Sequence, residues 1–292
     1  MALNAANNGI KTANKLEAPL KLLSVVTQHL GDNGYTWTGA LTVRSLYFND
    51  GSLVATDNSS ATATWGTPGL STTVGNDYTI DYDEGMVTRI GRQQQQDVPI
   101  ESLGAQWAAQ QLSDVFIPAH DQYSLSKIEA AVPYANKVAL TLTTAGNATA
   151  LPTGLNLLFQ QAVNKARVAG NPNMNSMIAW VSYNFVASLR AQTNYTGSNL
   201  GFANAQNGLL GKYNGVTTVE TPDNYFLAGT YVIIADKRAV INVTPKVAPE
   251  DFRILKEVPG FDGIEVQIRD RGATIPMLRR VQNLSLIYAT NS

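Results

Sequence analysis

The stretch GNDYTIDYDEGMVTRIGRQQQQDVPIESLGAQWAAQQ, residues 75–111, sets an acidic cluster, two spaced arginines and four consecutive glutamines directly ahead of a helix that carries a tryptophan. Its second half holds the helix start. Asp97 or Ser102 can cap, Pro99 suits a first turn, and Glu101 favours the positive end of the helix dipole. A long helix is expected to follow, with Leu103, Trp107, Leu112, Val115 and Phe116 on one side. Beyond Pro118 the pattern resumes with Tyr123, Leu125 and Ile128 up to Ala131. Pro118 lacks a backbone donor and is expected to bend or break the helix near Ile117.

Upstream, the texture is that of strands. YTWTGALTVRSLYF from Tyr35 alternates β-branched and aromatic residues, breaks at the turn signal NDGS, and resumes through LVATDNSSATATW, which reads as a long hairpin. Residues 49–73 are Gly, Ser, Thr, Asn and Ala with few large apolar side chains, too little to hold themselves against a core of their own. Ahead of the hairpin, residues 1–34 form an arm. Leu16, Leu20, Leu23, Val26 and Leu30 recur there at helical spacing, and Gly31 and Gly34 end the pattern. Downstream the chain alternates: strand KVALTLTT, helix GLNLLFQQAVNKARVAG, strand MIAWVS, helix YNFVASLRAQ, a Gly/Asn-rich loop over 193–211, then strands VTTVET, YVIIAD and AVINV. The end is strand-rich, with DFRILKEV and IEVQIRD joined through PGFDG.

Composition excludes several function classes. At 292 residues and 44% hydrophobic content, the chain can bury a large core. Only 15% of residues are charged and the net charge is -1, which is neither the basic excess of a dedicated nucleic-acid reader nor the acidic bias of a disordered tail. There is no cysteine, hence no disulfide, thiolate metal site or cysteine nucleophile. The first residues lack the apolar core of a secretory signal, and no run approaches the roughly 20 apolar residues of a membrane span. A soluble protein is expected.

No convergent catalytic set is visible. His120 precedes Asp121, but neighbours on a helix point about 100° apart, so a plain surface or interface histidine is expected. Nucleophile elbows, Walker loops and dinucleotide fingerprints are absent. Asp81, Asp83, Glu84 and Gly85 superficially suggest a calcium loop. The twelve-residue spacing then requires a glutamate where Arg92 stands, so no metal site is assigned. Sequons at Asn58, Asn147, Asn194, Asn242 and Asn283 reflect a chain rich in Asn, Ser and Thr. Arg269, Arg271, Arg279 and Arg280 cluster without the interleaved aromatics of a single-strand-binding groove. No cofactor is assigned.

The order of elements resembles that of tailed-bacteriophage major capsid proteins of the Hong Kong 97-like fold. DYTIDYDEGMVTRIGRQQQQD is similar to the family's hairpin exit. LSDVFIPAHDQYSLSKI resembles its spine-helix segment, with Pro118, Asp121 and Tyr123 in order. GLLGKYNGVTTVETPDNYF resembles its axial-domain hairpin, through Gly211, Gly215, Val219 and Pro222. The closing run FDGIEVQIRDRGATIPMLRRVQNLSLIY is similar to its final strands. Together these cover nearly the whole chain.

The resemblance implies an α+β fold: an N-terminal arm over 1–34, an E-loop hairpin over 35–96, the spine helix of a peripheral domain over 97–135, a central axial α/β domain over 136–245, and peripheral return strands over 246–292. It implies a non-enzymatic shell protein that assembles with itself as hexamers and pentamers, in the host bacterial cytoplasm, into the capsid of a virion. Portal protein, packaged double-stranded DNA contacted without sequence specificity, and a cementing or decoration protein are the further partners, with no membrane. The near-zero charge is compatible, because small cations neutralise most of the DNA charge. Only about 34 residues precede the hairpin, which implies a separate scaffolding protein. Residues 35–96 hold Arg44, Arg89 and Arg92 but no lysine, so a lysine-to-asparagine weld from the E-loop is unavailable and the shell is expected to be noncovalent. Trp37, Arg44, Asp81, Asp83, Glu84, Arg89 and Arg92 are the implied intersubunit contacts. Trp107, Phe116 and Pro118 are the implied anchors and hinge of the spine helix. The rivals are an encapsulin-like nanocompartment shell and a β-rich surface-binding module.

Overall fold

The computed structural model describes residues 24–30, 35–38, 42–48, 73–92, 100–145, 148–151, 154–168, 174–192, 209–243, 252–256, 258–278 and 280–290. Most of the expected arm, the hairpin tip and the 193–208 loop lie outside them. Strands β1 (Tyr35–Trp37), β2 (Thr42–Phe48) and β3 (Thr73–Thr79) form an antiparallel three-stranded sheet, which is the hairpin's base. A bend at Ile80 and Asp81 leads into β4 (Tyr82–Gly91).

The long helix follows as α1 (Ile100–Gln111), a π-helical segment (Leu112–Phe116) and α2 (Ile117–Ala131). It is neither broken nor ended at Pro118. The Ile117 N–H reaches back to the Leu112 carbonyl, an i to i−5 bond, so the helix runs through a wide turn just before the proline. That turn also splits the expected apolar side. Trp107 packs against the sheet and Phe116 is buried, whereas Leu112 and Val115 are exposed, because an extra residue in the turn rotates them off the stripe.

Next come β5 (Lys137–Thr141), the small ribbon of β6 (Thr143–Ala145) and β7 (Ala148–Ala150), α3 (Leu155–Val168), β8 (Met177–Ser182) and α4 (Tyr183–Gln192). Strands β9 (Leu209–Tyr213), β10 (Val216–Thr221), β11 (Thr230–Asp236) and β12 (Val240–Val243) complete the middle of the chain. The tail supplies β13 (Phe252–Leu255), β14 (Gly263–Pro276) and β15 (Leu284–Thr290).

A mixed six-stranded sheet in the order β5-β15-β11-β8-β10-β9 is the centre of the molecule. Its two middle strands, β8 and β11, are largely apolar runs because both faces are covered. Met177, Ala179 and Val181 of β8 face the core under α3 and α4, while Ile178 and Trp180 face the opposite core, made with Leu125 and Ile128 of α2 and with Val26 and Leu30. Strand β11 divides in the same way, Val232 and Ile234 against Ile233 and Ala235.

The second sheet is built on β14. Its first part lies between β4 and β13, and its last residues pair with β12. Two small cores attach to it. Ala108 and Trp107 of α1 cover Ile264 and Val266, and the hairpin base packs Val43 and Ile80 onto Ile241, Val243, Ala273 and Ile275.

Two pairings differ from expectation. Residues 82–91, expected inside the 35–96 hairpin, pair with β14 instead, so the hairpin's own sheet ends at Thr79. Strand β15, expected among the peripheral return strands, sits between β5 and β11 in the central sheet, where Leu284, Leu286 and Ile287 find their burial.

Candidate functional site

The charged residues of the hairpin exit are placed by the ribbon of β4 and β14. In a strand, alternate residues share a face, so Asp83 and Arg89 stand on the side away from α1 and α2. Arg269 reaches Asp83 with two guanidinium nitrogens, one at 2.5 Å. Arg89 meets its register partner Glu265 at 2.9 Å and lies over the Phe261 ring at 5.8 Å. Arg92 pairs with Asp262 at 3.2 Å. Within the hairpin base, Arg44 faces Asp77 across the β2–β3 register and grips it bidentately at 2.6 and 2.7 Å.

Asp81, at the bend between the two sheets, is clasped from α2 by the Lys127 ammonium at 2.5 Å and by the Tyr123 hydroxyl. Each of these carboxylates is thus matched within the chain. The Arg269 hydrogen bond holds Asp83 below the usual carboxylate range, and Arg44 does the same for Asp77. Partial burial pushes Asp81 upward, but its bonds to Lys127 and Tyr123 outweigh that and leave it lowered. Glu265 is lowered by Gln267 first and Arg89 second.

Glu84 stands opposite Asp270 in the ribbon register and lines a groove of about 460 Å3 between β4, the π-helical segment and the 223–227 turn. Aromatic rings form much of its wall: Tyr82, Phe116, Tyr123, Tyr225 and Phe226. The buried Tyr82 hydroxyl has no hydrogen-bond partner, and burial together with the charges of Asp270 and Glu84 pushes its pKa up to about 12.

The other expected residues are more dispersed. Trp37 lies on β1 opposite Val43. Trp107 sits against Ile264 and Val266, where the helix comes so close that a Cβ on Gly104 would lie 2.9 Å from both side chains. Pro118 occupies the first turn of α2.

The histidine expected at a surface or interface is buried within the chain. His120 stacks on Tyr82 with ring centroids 4.7 Å apart, and its Nδ1 lies 3.0 Å from Asp270. The adjacent Asp121 points elsewhere, as the helical angle requires, and accepts from Ser24 and Val25. Ser124 takes a bond from Thr274, and Glu129 accepts from Thr230 and the Leu227 N–H. These polar fasteners along α2 were missed from sequence. A polar residue at a position facing inward on a helix between two apolar stripes was the available signal.

Among the described residues no group of His, Cys, Asp and Glu is arranged to hold a metal, and no helix is long and apolar enough to cross a membrane. The arrangement is one of clasps that join two sheets and a helix.

No protein-family model and no curated protein matches the chain. Solved structures do. The capsid of Ralstonia phage GP4 superposes with a TM-score of 0.62 at 10% identity, covering 100% of this chain and 98% of that one. The capsid of the cyanophage P-SCSP1u gives 0.60 at 13% identity over 88% and 86%. The mature capsid of bacteriophage PhiM1 gives 0.56 at 14% over 87% and 83%. At such identities the likeness is one of fold, and the α+β fold of this chain is that of the phage capsid proteins, as its Hong Kong 97-like order of elements implied.

Proposed function

We propose that the protein is the major capsid protein of a tailed double-stranded DNA bacteriophage, which assembles as hexamers and pentamers into a noncovalent icosahedral shell around the genome. The observation that carries this reading is the full-length likeness to phage capsids. A likeness confined to one sheet would serve many functions. Supporting it, among the described residues the hairpin base rests on the body through one small core, with Leu46 exposed, as a lobe that gains further burial from neighbouring copies would be.

In this reading the arm and hairpin lap adjacent subunits, and the 193–211 loop lies near the capsomer axis. A separate scaffolding protein directs closure, a portal protein occupies one vertex, and a cementing protein can reinforce the shell. The virion is its location, after assembly in the bacterial cytoplasm, and its role is structural rather than catalytic. Asp81, Asp83, Arg89 and Arg92 set the angle and register at which the hairpin leaves the body. Trp37 and Glu84 are offered to neighbours, whereas Arg44 is engaged by Asp77 within the chain. Trp107, Phe116 and Pro118 carry the helix through any change of shell state.

Electron microscopy of the purified protein, expressed alone and with whatever small acidic helical protein is encoded beside it, tests this. Closed icosahedral particles or capsomer-sized rings are expected, with closure dependent on the neighbour. Self-assembly around enzyme cargo would instead favour a nanocompartment shell, and a stable monomer under all conditions would overturn the reading.

A further inference from the structure

Asp121 is 1% exposed, and both its carboxylate oxygens are turned toward the root of the N-terminal arm. The Ser24 hydroxyl donates to Oδ1 at 2.6 Å and the Val25 N–H to Oδ2 at 2.8 Å. The Val25 carbonyl in turn accepts from the indole N–H of the fully buried Trp180 at 2.9 Å. Residues 24 and 25 are thereby gripped from the helix on one side and from the central sheet on the other. Directly after them Val26 enters the core with no exposure.

A buried carboxylate is a poor way to gain stability, because desolvation opposes it and an apolar side chain of similar size would serve better. What it supplies is direction, since two charge-assisted acceptors admit only one placement of the donors. The turn that carries it is itself fixed to the β4–β14 ribbon. His120 holds Asp270, and Ser124 bonds Thr274. The arm root, the helix and the ribbon are therefore fastened at one point.

We propose that Asp121 is the positioning residue of the N-terminal arm. It fixes residues 24 and 25, the root of the arm, to the long helix and the central sheet. Its consequence for assembly rests on the capsid reading, whereas the latch itself does not.

The test is hydrogen exchange by mass spectrometry on the unassembled full chain, for wild type, Ser24→Ala, Asp121→Asn and Asp121→Ala, with the same proteins scored for particles by electron microscopy. Loss of both charge-assisted bonds is expected to speed exchange over 24–30 by about tenfold or more in Asp121→Ala, and by a smaller factor in Ser24→Ala. Peptides from β8 and β11 should keep their wild-type rates, and particles should be open or misformed. Should Asp121→Ala fail to fold, Ser24→Ala decides, since it removes only one donor. Unchanged exchange over 24–30, or an equal acceleration everywhere, overturns the latch. Local loosening with particles of wild-type form overturns the positioning role. If wild type itself never assembles, the capsid reading fails, and the exchange data still decide the latch.

Discussion

Exchanging the charges of one clasp separates its role inside the chain from a role between chains. The Asp83–Arg269 pair is bidentate, and its side chains are 42% and 46% exposed. Exposed pairs contribute about 0.2 to 1 kcal/mol, and the two-pronged geometry places this one near the upper end, about 1 kcal/mol. Arg269→Ala should therefore lower the urea midpoint of the unassembled chain by about 0.3 M, taking a slope of about 3 kcal/mol per molar. In a double-mutant cycle the Asp83–Arg269 coupling should be about 0.5 to 1 kcal/mol and should shrink in strong salt. The exchanged chain, Asp83→Arg with Arg269→Asp, should recover part of that coupling, because 83 and 269 are diagonal neighbours in the ribbon, while the new arginine stands opposite Arg271. Tryptophan fluorescence in urea reads the stability, and electron microscopy reads assembly. A coupling near zero, with assembly abolished in the exchanged chain, would refute the reasoning and assign these charges to a neighbouring subunit.

Tyr82→Phe removes a buried hydroxyl that has no partner and should stabilise the chain by about 1 kcal/mol, raising Tm by roughly 2 °C in calorimetry. Gly263→Ala would push a Cβ into the Ile90 carbonyl oxygen and within 2.9 Å of the Gly91 Cα, and should cost about 1 to 3 kcal/mol in urea unfolding. Gly85→Ala, whose Cβ would meet nothing nearer than 3.5 Å, should stay within about 0.5 kcal/mol. Asp77, Asp81, Asp83 and Glu265 all titrate below their ordinary values in the folded chain, so their stabilisation is complete above the unfolded pKa, about 4, and is lost as pH falls through the lower folded values. Their contribution to the urea midpoint should be flat from pH 7 to 5 and decline below about pH 4, a decline absent when the four are replaced by their amides.

Local pattern was legible wherever burial has a simple period. MIAWVS and VTTVET read as strands, and both elements fall where the residues placed them. The helix after Ser182 was equally plain. Pairing at a distance was not. Nothing local in DYDEGMVTRIG says that its partner lies about 180 residues downstream, and a strand leaving one hairpin looks the same as a strand joining another sheet. The closing LSLIYAT was expected among the peripheral return strands, while its place between β5 and β11 depends on contacts that no spacing encodes. The charged cluster itself was legible in the sequence. Its partners on α2 and β14, Lys127, Tyr123 and Arg269, were hidden by the same long-range pairing.

The π-helical segment shows where a local rule met a tertiary one. Pro118 removes a donor, yet the helix continues, because α1 is pinned by Trp107 and Ala108 on β14 while α2 is pinned by His120, Asp121 and Ser124. Between those pins the chain holds one residue more than an α-helix needs, and a π turn absorbs such a surplus residue. If the pins rather than the proline are the cause, deleting Asp114 alone should convert the segment to α-helix and leave both anchors in place, with stability within about 1 kcal/mol of wild type. Deleting Ser113 and Asp114 together should swing α1 by about 100°, lift Trp107 from Ile264 and Val266, and cost about 3 kcal/mol or more. Pro118→Ala should leave the wide turn standing, since the surplus residue remains. Urea unfolding ranks the three chains. A single deletion as damaging as the double one would mean that the proline, not the anchoring, makes the turn, and the helix would then hold no spare residue.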